Sequence, residues 1–305
     1  MRVLGARFEY VADPGADVIA RPTVTPAGFG ELSILGLHTS ARELIRQRAY
    51  SDASRVIDAC LQRDPLYAPA LVDAAMLHLR RGDARAAFAH AQTALSIDTY
   101  DPAANYYYGR AAEALGRLAD ARDGFALAAQ SAEWRGAAWF ALGQAALREG
   151  RVEIAQHYAG TLTAHASLDV QGWQLLVVAH RLAGEADAAA RGIARLLEID
   201  PLNHVARFER ALASGRDTEQ TSFAHGVRGE MPHETFLEMA AWYVGLGREH
   251  DAGTLLALAP SVPEVQYWRA WLSRTSEPTA AARHLADANA ASPALTFPFR
   301  AESVP

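Results

Sequence analysis

The sequence contains no lysine: all 29 basic residues are arginine. Arginine suits bidentate contacts to carboxylate or phosphate, and a GC-rich coding bias, which also explains the abundant alanine, is the plainer reason. A single cysteine, Cys60, excludes a disulfide framework and a thiolate metal cluster; at a small repeat position it reads as packing. No apolar run approaches the ~18 residues that a membrane helix needs. The opening M-R-V-L-G-A-R-F-E-Y is interrupted by charge too early for a signal-peptide core. The expectation is a cytoplasmic protein, with Met1 as the natural start and no membrane partner. A formal charge of −6 and a pI near 6.0 supply no general basic field, so nucleic acid is not expected either. Neither H-E-x-x-H, a G-x-S-x-G elbow, a phosphate loop nor a Rossmann glycine fingerprint occurs. No catalytic residue, metal or cofactor is therefore expected.

What is present is a comb of small residues. Gly82, Gly116, Gly150 and Gly184 stand 34 positions apart, as do Ala53, Ala87, Ala121, Ala155 and Ala189. Such a period marks a helix-turn-helix array whose hairpins bury their apolar faces only by stacking on one another. The 50% apolar and 21% charged composition is that of a folded chain. Each comb glycine directly follows the first helix of a pair, where a left-handed backbone is commonly needed. Each comb alanine opens the second helix and lets two backbones approach closely, with larger side chains such as Ile57, Phe125, Trp139 and Ile193 filling the space between.

Residues 1–38 lack the helical period. Apolar runs at 8–11, 17–20 and 32–35, separated by Pro and Gly, suit extended segments and turns. The helical pattern is expected to start at Thr39 or Ser40 as N-cap, with Glu43 closing a capping box. Regular hairpins follow to Asn203. A degenerate unit with a long or bent connection is expected at about 204–232, then two further pairs ending near Pro293 and an extended tail at 294–305.

These residues resemble the tetratricopeptide repeat family. Trp139, Leu142-Gly143, Gly150, Ala155 and Ala159 trace its pattern in one unit, and Trp173, Leu176, Gly184, Ala189, Ile193 and Pro201 in the next. Thr99, Glu133 and Ser167 depart from it by replacing the terminal proline. The resemblance implies an all-α, right-handed superhelical solenoid of about seven or eight hairpins over residues 39–293, with short extended ends. The segments P-H-E-T-F-L-E-M-A-A-W-Y-V-G-L-G-R, E-V-Q-Y-W-R-A-W-L and A-L-T-F-P-F-R-A-E are similar to a bacterial group of long members in which a β-rich domain precedes the repeats.

Several constellations are open to two readings. Arg80, Arg110, Arg148 and Arg181 lie late in four successive first helices and could form a ladder that grips an acidic peptide; they could equally complement helix C-termini, and Glu113 beside Arg110 suggests partial self-neutralisation. Tyr106, Tyr107 and Tyr108 cannot all hide on one helical face, so at least one should be exposed in the groove or at a helix interface. Tyr106 and Phe140 are the preferred anchors for a partner, with Gln144 and Gln174 beside them; packing on a neighbouring hairpin is the alternative. His78 and His180 read as hydrogen-bonded core histidines, and Glu230, Glu234 and Glu238 as solvated acid. The expected function is a non-catalytic scaffold that binds a protein or peptide, an acidic one being an option, in the concave groove. The alternative is an accessory module of a carbohydrate-associated enzyme or binding protein whose β-rich domain is absent from this chain. Oligomeric state is not legible.

Overall fold

The computed structural model describes residues 30 and 32–292 in full and the backbone of residues 2–3 and 6–7. The runs at 8–11 and 17–20 and the tail at 294–305 lie outside the described residues. The chain forms two compact units, residues 1–65 and residues 66–305.

In the first unit, β1 (Arg2–Val3) pairs antiparallel with β2 (Ala6–Arg7). Helices α1 (Ile34–Arg46) and α2 (Tyr50–Arg63) form a hairpin. Thr39 is therefore not the start of the helical pattern. Ser33 caps α1 by accepting a hydrogen bond from the Gly36 N–H at 3.0 Å, and Thr39 sits inside the helix, donating to the Leu35 carbonyl. The apolar run at 32–35, expected to be extended, leads into this helix: Ser33 is its cap and Ile34 and Leu35 open its first turn. Cys60 is buried in α2 and donates to the Ile34 carbonyl at 3.6 Å. Burial raises its pKa, which favours the inert thiol.

The second unit contains α3 (Ala68–Arg80), α4 (Ala84–Ile97), α5 (Pro102–Ala114), α6 (Leu118–Ala128), α7 (Arg135–Arg148), α8 (Val152–His165), α9 (Val170–Leu182) and α10 (Ala186–Ile199). It continues with α11 (His204–Ser214), α12 (Asp217–Gly226), α13 (Pro232–Gly245), α14 (Glu249–Ala257), α15 (Pro263–Ser273) and α16 (Pro278–Ala290). Consecutive helices pair into hairpins that pack on their sequence neighbours. For three of the first helices the sequence shows why they begin where they do. Asp101, Asp169 and Asn203 share one repeat register, and each accepts a hydrogen bond from the backbone N–H three residues on, at 2.6, 2.6 and 3.0 Å. This satisfies one of the donors that a helix start leaves unpaired.

Every turn glycine of the comb has positive φ, from 72° to 78°, and Gly215 and Gly247 adopt it at 61° and 70°. In the regular hairpins the residue after glycine donates back across the turn, as Arg117 N–H does to the Ala112 carbonyl at 2.8 Å. Arg48 holds the equivalent place in the first hairpin with φ 61°, and its successor Ala49 makes the same bond to Leu44 at 2.9 Å. The comb alanines are at most 4% exposed. Between α5 and α6 the approach is closest: a Cβ on Gly124 would meet the Asn105 carbonyl oxygen at 2.7 Å and the Gly109 backbone at 3.1 Å.

The region expected to be a degenerate repeat with a long connection is a complete short hairpin. Residues 217–226 form α12, and only residues 227–231 link it to α13. Its sequence D-T-E-Q-T-S-F-A-H-G buries only Phe223, so the apolar period that would betray a helix is nearly absent. Its turn also differs: the N–H of Arg216 donates to Ser214 Oγ at 3.2 Å.

Candidate functional site

The wall formed by the first helices α3, α5, α7 and α9 carries the candidate groove residues Arg80, Tyr106, Arg110, Phe140, Gln144, Arg148, Gln174 and Arg181. Tyr106, Phe140 and Gln174 share one repeat register, as do Arg110 and Gln144. Arg80 and Arg148 share a second register, whereas Arg181 falls in that of Glu113. The four arginines therefore do not form one ladder. Arg80 is exposed at the end of α3. Arg110 Nη1 donates to Glu113 Oε2 at 2.8 Å and Arg148 Nη2 to Glu113 Oε1 at 2.6 Å, so a single half-buried carboxylate bridges two of them. Arg148 Nε also donates to the Gly245 carbonyl at 3.1 Å. A Cβ on Gly247 would meet the Arg148 Cα at 3.2 Å. The turn between α13 and α14 thus lies against the end of α7.

Arg181 is the most deeply committed. Its Nε donates to Glu209 Oε2 at 2.6 Å, and its Nη2 to Glu209 Oε1 at 3.1 Å and Asp251 Oδ2 at 2.7 Å. Tyr243 donates its hydroxyl to Glu209 Oε1 at 2.7 Å, and Arg248 Nε reaches Asp251 Oδ2 at 3.0 Å. Glu209 is 1% exposed and Tyr243 fully buried. Burial works against the Arg181 charge, yet bonding to Glu209 and Asp251 outweighs it and raises the pKa. Burial likewise pulls the Asp251 carboxyl upward, but hydrogen bonds from Arg248 and Arg181 overcome it and hold the pKa below its usual value. The Tyr243 phenol is pushed well up by burial and then by the Glu209 charge. These groups are ionised or hydrogen-bonded in matched pairs, an arrangement that fixes helices rather than moves protons. Composition did not point to Glu209, Tyr243, Arg248 or Asp251. The available signal was Glu209 itself, a carboxylate next to the Val205, Phe208 and Leu212 stripe of α11.

The tyrosine run is packed more fully than expected. The Tyr106 ring lies 5.1 Å from Trp134 and 5.8 Å from Phe125, Tyr107 lies 5.5 Å from Trp134, and Tyr108 lies 4.7 Å from Phe88. None of the three is exposed; Tyr106 and Tyr107 of α5 meet Trp134 at the start of α7, so the run lies at a helix interface rather than in open solvent. Burial raises the Tyr106 pKa, with Arg110 partly opposing. Phe140 is half-buried against the core that includes Phe208 and Tyr243. Gln144 is half-exposed, and Gln174 Nε2 donates to Asn203 Oδ1 at 3.3 Å. His180 Nδ1 lies 2.6 Å from Glu185 and 3.1 Å from Gln156, as a hydrogen-bonded histidine should; His78 stacks on His90 at 5.2 Å. Glu230 precedes α13, and Glu238 is exposed on it.

Among the described residues no group of three or more His, Cys, Asp or Glu is placed to hold a metal ion, and no helix is long and apolar enough to cross a membrane. A shallow polar depression runs along α12, lined by Thr218, Thr221, Ser222, His225, Gly226 and Arg228.

Helical hairpins stacked in one register, with a left-handed glycine at each turn, define an all-α repeat solenoid. More narrowly, the fold is that of the tetratricopeptide repeat. A tetratricopeptide repeat protein from Parabacteroides merdae superposes with a TM-score of 0.55 at 13% identity, over 85% of this chain and 93% of that one. PilW, a type IV pilus biogenesis factor, matches with a TM-score of 0.59 at 19% identity over 65% of this chain and 94% of its own. The C-terminal part of a repeat protein from Cytophaga hutchinsonii matches at 0.54 and 15% identity, over 88% and 98%. No protein-family model and no curated protein sequence matches the chain.

Proposed function

We propose that the chain is a non-catalytic scaffold that binds a protein or peptide segment along the first-helix wall of hairpins α3–α10. The observation that carries this reading is the shared register of Tyr106, Phe140 and Gln174, and of Arg110 and Gln144, on a backbone repeating every 34 residues. A rigid wall with one side chain per step suits an extended ligand making many weak contacts. The basic positions with most surface lie toward α3 and α5, where Arg80 is exposed and the Arg110 side chain is 41% exposed beside its partner Glu113. Farther on, Arg148 and Arg181, also paired with the chain's own carboxylates, are 32% and 20% exposed. An acidic partner is therefore served by Arg80 and Arg110, with Gln144 and Gln174 as polar contacts.

The test is capture of partners from native lysate by the wild-type chain and by a Gln144→Arg/Gln174→Arg variant, with circular dichroism on both. A partner retained by the first and lost by the second at unchanged helicity supports the wall. Identical capture by both would remove these residues from the site, and substrate turnover by the purified chain would overturn the scaffold reading.

A further inference from the structure

The second unit exposes a row of apolar side chains that the first-helix wall does not use. Leu66, Tyr100, Leu168 and Leu202 occupy one repeat register, in the turns that lead from one hairpin to the next. They are 61%, 76%, 67% and 68% exposed, against 37–46% for Ile97, Leu118 and Ile154, the other large apolar residues exposed in this stretch. Single exposed leucines are ordinary on a protein surface, but repetition at one register is not. The fifth member, Trp134, is instead turned in against Tyr106 and Tyr107. Stacked hairpins repeat at about the helix-packing distance, so successive turns stand ~10 Å apart along one edge, and the inward Trp134 leaves a double step between Tyr100 and Leu168. Two of them are held outward by their own turns: Asp98 Oδ1 accepts from the Tyr100 N–H and Asp200 Oδ1 from the Leu202 N–H, both at 3.0 Å.

The charge around this row is predominantly negative. The turns at 96–101, 164–169 and 198–203 carry five carboxylates, Asp98, Asp101, Asp169, Glu198 and Asp200, and no arginine, while the turns at 62–67 and 130–135 each carry one carboxylate and one arginine. Of the arginines flanking the last turn, Arg195 Nη1 donates to Glu198 Oε2 at 3.0 Å and Arg207 donates to the Pro201 carbonyl at 2.8 Å, which leaves Asp98, Asp101, Asp169 and Asp200 as the edge's unneutralised charge.

We infer that this turn edge docks a basic amphipathic helix of a partner protein. Its apolar residues recur about every seventh position, which is ~10.5 Å along a helix, and its arginines or lysines lie between them. Apolar contacts supply the affinity, and the edge carboxylates select the cationic face and reject anionic surfaces. This surface is separate from the wall proposed above, and either can fail without the other.

The experiment is selection of phage-displayed random peptides of about 20 residues, which cover ~30 Å as helices, on the intact chain. Affinities of the winners are then measured for the wild type, a Tyr100→Ser/Leu168→Ser/Leu202→Ser variant and the Gln144→Arg/Gln174→Arg variant. The inference expects basic winners with apolar residues about seven apart, binding that weakens with salt, a loss of about tenfold or more in the serine variant, and no change in the glutamine variant. All three serine sites are solvent-exposed, so circular dichroism should be unchanged. Acidic winners, no consensus, or binding indifferent to the serine variant would overturn it. So would binding of anionic phospholipid vesicles, or a dimer in sedimentation, that depends on the same three residues.

Discussion

Hairpins α3–α10 and the region from α11 to α14 are built from the same kind of element but held by different forces. In the first stretch the core around α4–α7 is mostly alanine, with Phe88 and Phe125 among the few large members. Helices there touch through Gly109, Gly124 and the comb alanines, and each hairpin rests on its sequence neighbours. In the second the core is aromatic, with Phe208, Phe223, Phe236 and Tyr243, and it spans helices from α7 to α15. Ion pairs reach far along the chain, from Arg181 to Asp251, and Arg148 bonds to Gly245. Small residues allow a repeat to be copied without insertion. Where the register is lost, specific long-range contacts take over.

The largest effect should come from removing the centre of the long-range network. Glu209→Ala leaves Arg181 and Tyr243 without their shared acceptor and should destabilise the fold by about 3–5 kcal/mol, the usual cost of breaking a buried pair. Urea unfolding measures it, and a loss below ~1 kcal/mol would make the network incidental. The same network should fail in acid. Asp251 has a depressed pKa in the folded state. Its contribution is complete above the unfolded value near 3.8 and is lost as the pH falls through the lower folded value. Stability measured from neutral pH down to pH ~2 should fall more steeply in the wild type than in an Asp251→Asn variant.

Smaller effects probe the regular half. Gly150→Val places a β-branched side chain at a φ of 72° and should cost about 2 kcal/mol; an unchanged melting temperature would contradict the role of the turn. Asn105→Ala removes the Nδ2 donor that reaches the Thr99 and Asp101 carbonyls, both at 2.9 Å. That pair of bonds steadies a turn that lacks the usual proline, and its loss should cost ~1–2 kcal/mol. The smallest effect has the opposite sign. Arg48 occupies the comb's glycine position with positive φ, and Arg48→Gly should stabilise the first hairpin by about 1 kcal/mol.

Periodicity made the fold legible because small residues at turns and contacts are dictated by local geometry. Gly82 and Ala87 announce a turn and a close approach whatever the partner helix carries. The start of α1 is hidden in the sequence because Pro22, Pro26 and the glycines around Phe29 favour an extended reading up to the helix and mask Ser33 as its cap. Helix α12 was missed because its neighbours, not its own apolar period, hold it in place. The candidate site was legible only as positions. Arg110, Arg148 and Arg181 were visible as arginines, but whether each faces a ligand or a carboxylate of its own chain depends on contacts such as Arg181 with Asp251, 70 residues away, which no local pattern encodes.

The contrast between the two regions is tested most directly by amide hydrogen exchange on wild type and Glu209→Gln, a substitution that keeps the side chain's shape and removes its charge. Exchange should quicken together in α9, α11, α13 and α14, while α3 to α6 keep their protection. Uniform loss across all helices, or no change in α13 and α14, would contradict the division.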